Sequence, residues 1–382
     1  MDLLTTTLED VTAWQKAYLN PTEYIDYQEE NLDKDEAREA FDKMLGGLVA
    51  PLAHHTKAGK LVVLCPSAQL HRLPLHALSI KETHLEAGNF RTTSSALIHR
   101  NPCVYTHSHS LLRSSFASTE HTRSSPGPMK PQLISGIPGS KNLRFEAGRE
   151  SIQELALRFH TDPMIDQSAL KKDFLAVANH SRLLHLHTHC NWKSEDPLDH
   201  EVEFPRLAPL DSSIDERQLV DSVTAREFFD VHLSPGTHVN IIACQGGVTD
   251  VRLGDEVMGL GPALLCSGAS SIVSTLWCID DKHGVRFEKD FFDSFLLQCA
   301  KKRKKKGAVK ANPNQLGKDD SAVPAKIKNN GSVRLVNLAK AMQAAAKEMD
   351  EGESAPLYRW AGYVLHGCWQ FTMSEEDAIS LQ

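Results

Sequence analysis

At 382 residues, 41% of them hydrophobic, the chain is long enough to bury a sizeable core, as one large domain or as two that share a sheet. The net charge is -7 although six cations sit in one run, KKRKKK at 301–306, so the remainder carries -13; a body that acidic repels a phosphate backbone, and nucleic acid is not expected as a partner. No apolar run approaches the roughly 20 residues of a membrane span, the start MDLLTTTLEDVTAW lacks the basic and apolar parts of a secretory signal, and the eight scattered cysteines read as reduced thiols of a cytoplasmic or nuclear protein.

In chain order, DEAREAFDKMLGGLVAPLAHH (35–55) has helical spacing and leads into LVVLCP (61–66), a short buried strand ended by proline. HRLPLHAL (71–78) reads as a loop returning to a core, and the Ser/His/Pro-rich stretch 106–132 as a surface connector between two halves. The second half opens with LISG (133–136), an amphipathic helix FEAGRESIQELALRF (145–159) and a shorter one, ALKKDFLAVAN (169–179). Next come the strand RLLHLHTHCNW (182–192), the strand THVNIIACQGG (237–247), a helix over 254–268 and the strand SSIVSTLW (270–277). Helical pattern resumes over 283–302 and again over 333–349, on either side of a polar insert that is too poor in large apolar residues to fold. This alternation of strands and helices defines an α/β protein with a mainly parallel sheet covered by helices.

The chemistry concentrates at two strand ends. Cys244 follows the apolar run NIIA and precedes two glycines, which permit a sharp turn that leaves a thiol open; the alternative is a small hydrophobe in a core. A cysteine nucleophile needs a base, and His189 ends its own buried strand 55 residues upstream. Adjacent parallel strands would bring both residues to the carboxyl edge of the sheet, where α/β active sites form. The alternation of His185, His187 and His189 also admits a metal site, but no acidic ligand follows at strand or helix spacing and neither HExxH nor CxxC is present, so no metal and no cofactor is expected. For His185 and His187 a hydrogen-bonded place in the core is the simpler reading.

LLHLHTHC (183–190), DPL (196–198), NIIACQGG (240–247), GDEVMGLGPALLCSGASSIVSTLWCIDD (254–281) and WAGYVLHG (360–367), with LVVLCPSAQLHRLPLHAL (61–78) and LRFEAGRESIQELA (143–156), resemble the CHAT family, a caspase-like group of cysteine peptidases distantly similar to separase. The resemblance runs from about residue 37 to 372. It implies a caspase-like fold with a degenerate caspase-like first half (37–130), a catalytic second half (131–372) carrying a basic insert at about 301–332, an N-terminal extension or linker (1–36) and a tail (373–382). It implies a His189/Cys244 dyad that cleaves a protein substrate, with an oxyanion held by the backbone N–H groups of Cys244 and Cys190. Cys190 stands where the family usually has glycine, which opens a second reading, a catalytically weak scaffold that binds protein partners. Asp280 and Asp281 either receive a basic residue on the amino side of the scissile bond or cap the helix that follows. Asp255 and Glu256 are expected in the first turn of a helix.

The basic insert reads as a solvated loop, a nuclear import signal or a cleavable activation linker. No 34-residue repeat precedes the catalytic region, so the resemblance implies an activating protein partner that comes from a separate chain, such as a helical-repeat protein, or is docked by the first 36 residues. It implies a setting in signalling, immunity or cell death and a substrate such as a pore-forming or effector protein.

Overall fold

Short aliphatic runs frame the fold, because a strand covered on both faces needs no polar alternation. The computed structural model describes residues 7–19, 35–86, 89–124, 127–136, 146–193, 195–206, 220–252, 254, 256–300, 333–350 and 355–381. Eight strands form the main sheet: β1 (Val62–Leu64), β2 (Cys103–Tyr105), β3 (Pro131–Gly136), β4 (Met164–Ile165), β5 (Leu183–Thr188), β6 (His238–Ile242), β7 (Ser271–Thr275) and β8 (Tyr363–Gly367). Their order across the sheet is β1-β2-β8-β7-β6-β5-β3-β4. All neighbours run parallel except β7 and β8, which pair antiparallel from Ser271↔Gly367 to Thr275↔Tyr363. Through β8 the two strands of the first half join the sheet of the second, so the halves share one frame.

The longer helices are α1 (Leu8–Tyr18), α2 (Asp35–Val49), α3 (His109–Ser124), α4 (Glu146–Phe159), α5 (Lys171–Ala178), α6 (Leu260–Cys266), α7 (Asp281–Ala300) and α8 (Leu338–Met349). They cover both faces of the sheet and make two cores. Leu183 packs into a core with residues of α4, α7 and α8, whereas Leu184 and Leu186 enter the other, with residues of α5 and α6. The period of two along β5 therefore puts His185 and His187 on the α4/α7 side.

Several elements differ from what the sequence predicts. Most of the expected connector at 106–132 is the sixteen-residue helix α3. Two of its buried hydroxyls are satisfied within the helix, Ser115 Oγ on Leu111 O at 2.9 Å and Thr119 Oγ1 on Ser115 O at 3.1 Å, and Ser118 donates outside it to Gly268 O at 3.3 Å, so a Ser/Thr-rich sequence presents a buried face after all. The helix expected from 254 starts only at Leu260, after Gly259 at φ +144°, and Glu256 lies instead in a strand, Glu256–Met258, paired with Asp250–Arg252. Asp255 and the basic insert lie outside the described residues. The helix expected from 333 is preceded by a strand, Val333–Asn337, which pairs antiparallel with Gln370–Ser374. Residues of the expected tail thus belong to the fold, with Met373 and Ala378 fully buried. No helix among the described residues is long and apolar enough to cross a membrane.

The N-terminal helix is likewise part of the packed body. Trp14 of α1 is 5% exposed, lies 4.8 Å from Phe41 of α2 and donates its indole N–H to Ala37 O at 3.3 Å. Replacement of Trp14 by alanine is expected to cost about 3–5 kcal/mol. Urea denaturation checks this, and a cost below about 1 kcal/mol, the range of ordinary surface substitutions, would mean that α1 is not docked.

Candidate active site

Pairing of β5 with β6 fixes the geometry of the site. The ladder runs in parallel from Leu183↔His238 to His187↔Ile242, a constant offset of 55 residues. His189 and Cys244 have that same offset, and each lies two residues beyond the last pair, at one level of the carboxyl edge. Backbone bonds then turn the chain: Gln245 N–H to Trp277 O at 3.1 Å, Gly247 N–H to Thr275 O at 2.7 Å, and the Thr275 hydroxyl to Ala243 O. Gln245 takes φ +59°, a conformation that side chains other than glycine adopt at a cost. Gly247 is required for space, since a Cβ there would stand 2.6 Å from Ser274 Oγ.

Beneath this edge lies a network of buried charge. Glu288 of α7 is 0% exposed, and its carboxylate receives His187 Nδ1 at 2.5 Å, lies 3.2 Å from His185 Nε2 and accepts the Ser151 hydroxyl at 2.6 Å. The other ring nitrogen of His187 meets Asp281 at 2.6 Å, and Asp281 also accepts the Gly148 N–H at 3.1 Å. Gly148 makes room for the ring: a Cβ would stand 2.4 Å from His187 Nε2. Burial opposes a charge on His187, but Glu288 and Asp281 outweigh it and raise its pKa to about 10. Burial likewise opposes a charge on Glu288, and the two histidines hold its carboxyl well below the ordinary range. His187 is therefore an imidazolium at neutral pH.

That cation biases both groups at the edge, after larger local effects. His189, two residues on and partly exposed, is pushed down by burial and then by the charge on His187, with Asp281 acting against both, so it is a neutral imidazole at pH 7. Cys244, also partly exposed, is pulled down first by a hydrogen bond from the Cys278 thiol, then by the Ile279 backbone and the His187 charge, against burial. Cys278 is pushed up by the same contact, so Cys244 is the first of the pair to ionise. The thiol in contact with Cys244 is thus that of Cys278, after β7. Cys190 is buried, and burial raises its pKa well above the ordinary thiol range.

The remaining predicted residues fall as follows. Cys190 heads a two-residue strand that faces Val202, and Glu203 N–H donates to His189 O at 2.9 Å. In that register Cys190 and Val202 form a non-hydrogen-bonded pair, so the Cys190 N–H is not directed at the neighbouring strand. Its φ is not positive, so this position does not require glycine here. Asp281 is 10% exposed and committed to His187 and Gly148, while Asp280, 32% exposed, accepts the Lys282 N–H at 3.0 Å and meets its ammonium at 3.1 Å. Asp280 thus sits in a helix-capping arrangement and Asp281 in the charge network. Among the described residues no three His, Cys, Asp or Glu side chains are arranged to hold a metal ion, and His185 and His187 face Glu288.

Sequence reasoning missed Glu288, Ser151, Gly148 and Cys278. The first had a legible signal: Glu288 falls on the apolar stripe Gly284, Phe287, Phe291, Phe295 of α7, and a carboxylate on such a stripe demands a buried partner. Cys278 gave none, since nothing in its spacing links it to Cys244.

Among solved structures, the chain is similar to separase in the Saccharomyces cerevisiae separase–securin complex, at 13% identity and TM-score 0.47 over 96% of this chain and 20% of that one. It is also similar to gingipain R, an Arg-specific cysteine proteinase, at 9% identity and TM-score 0.45 over 95% of this chain and 74% of that one. A complex of the Porphyromonas gingivalis RgpB pro- and mature domains matches at 11% identity and TM-score 0.41, over 95% of this chain and 75% of that one. The chain therefore spans about a fifth of the separase chain. No curated protein matches it by sequence. The model of the CHAT domain matches residues 37–368, most of the chain, and the protein belongs to the CHAT domain family.

Proposed function

We propose that the protein is a cysteine endopeptidase in which Cys244 is the nucleophile and His189 the general base. The observation that carries this reading is the shared edge position of a thiol pulled towards its thiolate and an imidazole kept neutral, both biased by the His187 imidazolium. His189 accepts the thiol proton, and the Cys244 thiolate attacks the scissile carbonyl carbon. The tetrahedral oxyanion is held by the backbone N–H groups of Cys244 and Cys190. Collapse breaks the C–N bond as His189 returns the proton to the leaving amine. Water, deprotonated by His189, then hydrolyses the thioester and restores the thiol. A basic residue on the amino side of the scissile bond would replace the Lys282 ammonium on Asp280. Family membership supports a protein substrate, and with it a setting in signalling, immunity or cell death.

Purified protein added to a lysate of its source cells is expected to create new peptide N-termini that a Cys244→Ala protein does not, with Lys or Arg preceding the cut. His189→Ala should slow their formation by about 10²–10⁴-fold. Identical N-terminal profiles from active and Cys244→Ala proteins would reject the peptidase and leave a binding scaffold.

Glu288→Gln should uncouple the charge network. With only Asp281 left as counter-ion the His187 pKa falls, the cation that favours the Cys244 thiolate weakens, and the acid limb of kcat/KM moves to higher pH by about one unit. Stability follows the same pair. The His187 contribution is complete below pH 6.5, its ordinary pKa, and is lost as pH rises through about 10; the Glu288 contribution is present above its ordinary 4.5 and is lost as pH falls below it. Urea titrations of the parent protein should therefore show falling stability from pH 6.5 to 10. Glu288→Gln should be less stable by about 3–5 kcal/mol at pH 6 and show a shallower alkaline slope, with Asp281 left to hold His187. An unchanged slope would remove His187 and Glu288 as its source.

A further inference from the structure

A cleft of about 380 Å³ opens beside the candidate dyad, between Trp192, three residues after His189, and Gln245, one residue after Cys244. Its far wall is α1 with the residue that caps it, Lys16 from the helix and Leu19 from the cap, and Arg72 and Leu276 complete the part that matters for recognition. Two cations line it and, among the described residues, no Asp or Glu does. Arg72 is held in place: its Nε–H donates to Thr249 O at 2.6 Å, one terminal nitrogen reaches Asp250 at 3.3 Å, and the guanidinium lies 5.7 Å from the centre of the Trp192 ring. Its other terminal nitrogen makes no bond within the described chain, and so remains for a second acceptor. Lys16 is exposed on a helix that Trp14 fixes to the body, and Gln15 beside it donates to Gln69 O at 3.3 Å, so the wall is anchored on both sides.

We infer that this cleft is a recognition subsite for an acidic side chain, Asp or Glu, of an extended peptide whose neighbouring residue is apolar, with Arg72 and Lys16 meeting the carboxylate and Leu19 and Leu276 the apolar neighbour. The inference rests on the peptidase reading for its position beside the cut. It goes beyond the family because α1 ends at Tyr18, ahead of the matched span that begins at residue 37, so one cation of the pair stands on an element this chain adds. Arg72 is half-buried and held by Asp250, so a second anion meets a guanidinium that is fixed in place yet still open to the cleft.

The test uses the full chain with Cys244→Ala, so that binding is read without turnover. The probes are three fluorescein-labelled nonapeptide pools, each position a mixture of Ala, Leu, Ser and Arg except a central residue fixed as Glu, Gln or Lys. Fluorescence anisotropy should rank them Glu, Gln, Lys, with Glu at least about tenfold tighter than Gln. The preference should fall in 0.5 M salt, at a Debye length of about 4 Å. Lys16→Glu, a surface change away from the dyad, should abolish the Glu preference. Equal binding of the Glu and Gln pools, binding of no pool, or a Lys16→Glu protein that keeps the preference would overturn the subsite. The same pools are then offered to the protein with Cys244 intact. Glu-selective binding without cleavage keeps the subsite and rejects the peptidase; cleavage indifferent to the central residue keeps the peptidase and rejects the subsite.

Discussion

A carboxylate removed from water costs several kcal/mol unless fixed donors replace its hydration, and the arrangement of this fold around Glu288 answers that demand. Its donors come from two elements, Ser151 from α4 and His187 from β5, and His185 of the same strand lies 3.2 Å away. Glu288 itself comes from α7, so one side chain ties strand and both helices into a fixed relation. The first turn of α7 adds Asp281 on the far nitrogen of His187, and Gly148 removes the Cβ that would keep helix and ring apart. Removal of one member strands the others as buried, unpaired polar groups, so the network is expected to act as a unit.

The consequence for chemistry is an asymmetry that neither half of a dyad could create alone. A thiol and an imidazole side by side need the first to lose its proton readily and the second to be able to take it. A cation beneath them serves both needs, since it favours the thiolate and disfavours a second imidazolium. His187 can supply that cation only because two carboxylates raise its pKa to about 10. The period of two along β5 places His185 and His187 on the helix side and ends at His189, just past the last residue of the strand. One sequence pattern thus yields two buried histidines that face Glu288, of which His187 is hydrogen-bonded to it, and one partly exposed histidine that is left neutral.

Much of this was legible. The 55-residue spacing of His189 and Cys244 is the ladder offset of two parallel strands, so the register was present in the sequence as a distance between two apolar runs. The alternation of strand and helix gave the sheet, and the ordered motifs gave the family. What escaped reading was decided by tertiary context. Helix α3 has poor intrinsic propensity, and its serines and threonines become helical because their hydroxyls bond back to the preceding turn while the face packs under β8 and its neighbours. Gly259 delays the helix expected after Gly254, since a pair of short strands competes for Glu256–Met258. The partners of Asp281 lie 94 and 133 residues away, and no local pattern encodes so distant a contact.

The placement of α1 also bears on how such a site acquires selectivity. The proposed dyad of His189 and Cys244 sits where an α/β sheet exposes its strand ends, above the charge network that α4 and α7 build with β5. Selectivity needs walls above that edge, and walls can be added without disturbing the charge network. The chain adds one by docking Trp14 on Phe41, which leaves Lys16 facing a cleft bounded by the two segments that leave the dyad. An anchored helix loses little further freedom when a ligand arrives, so its charge contributes to recognition more fully than one on a loop would. On the proposed reading the reacting groups and the recognising groups therefore rest on separate contacts, so that substitutions in α1 would alter what is bound while His187 and Glu288 continue to bias the thiol.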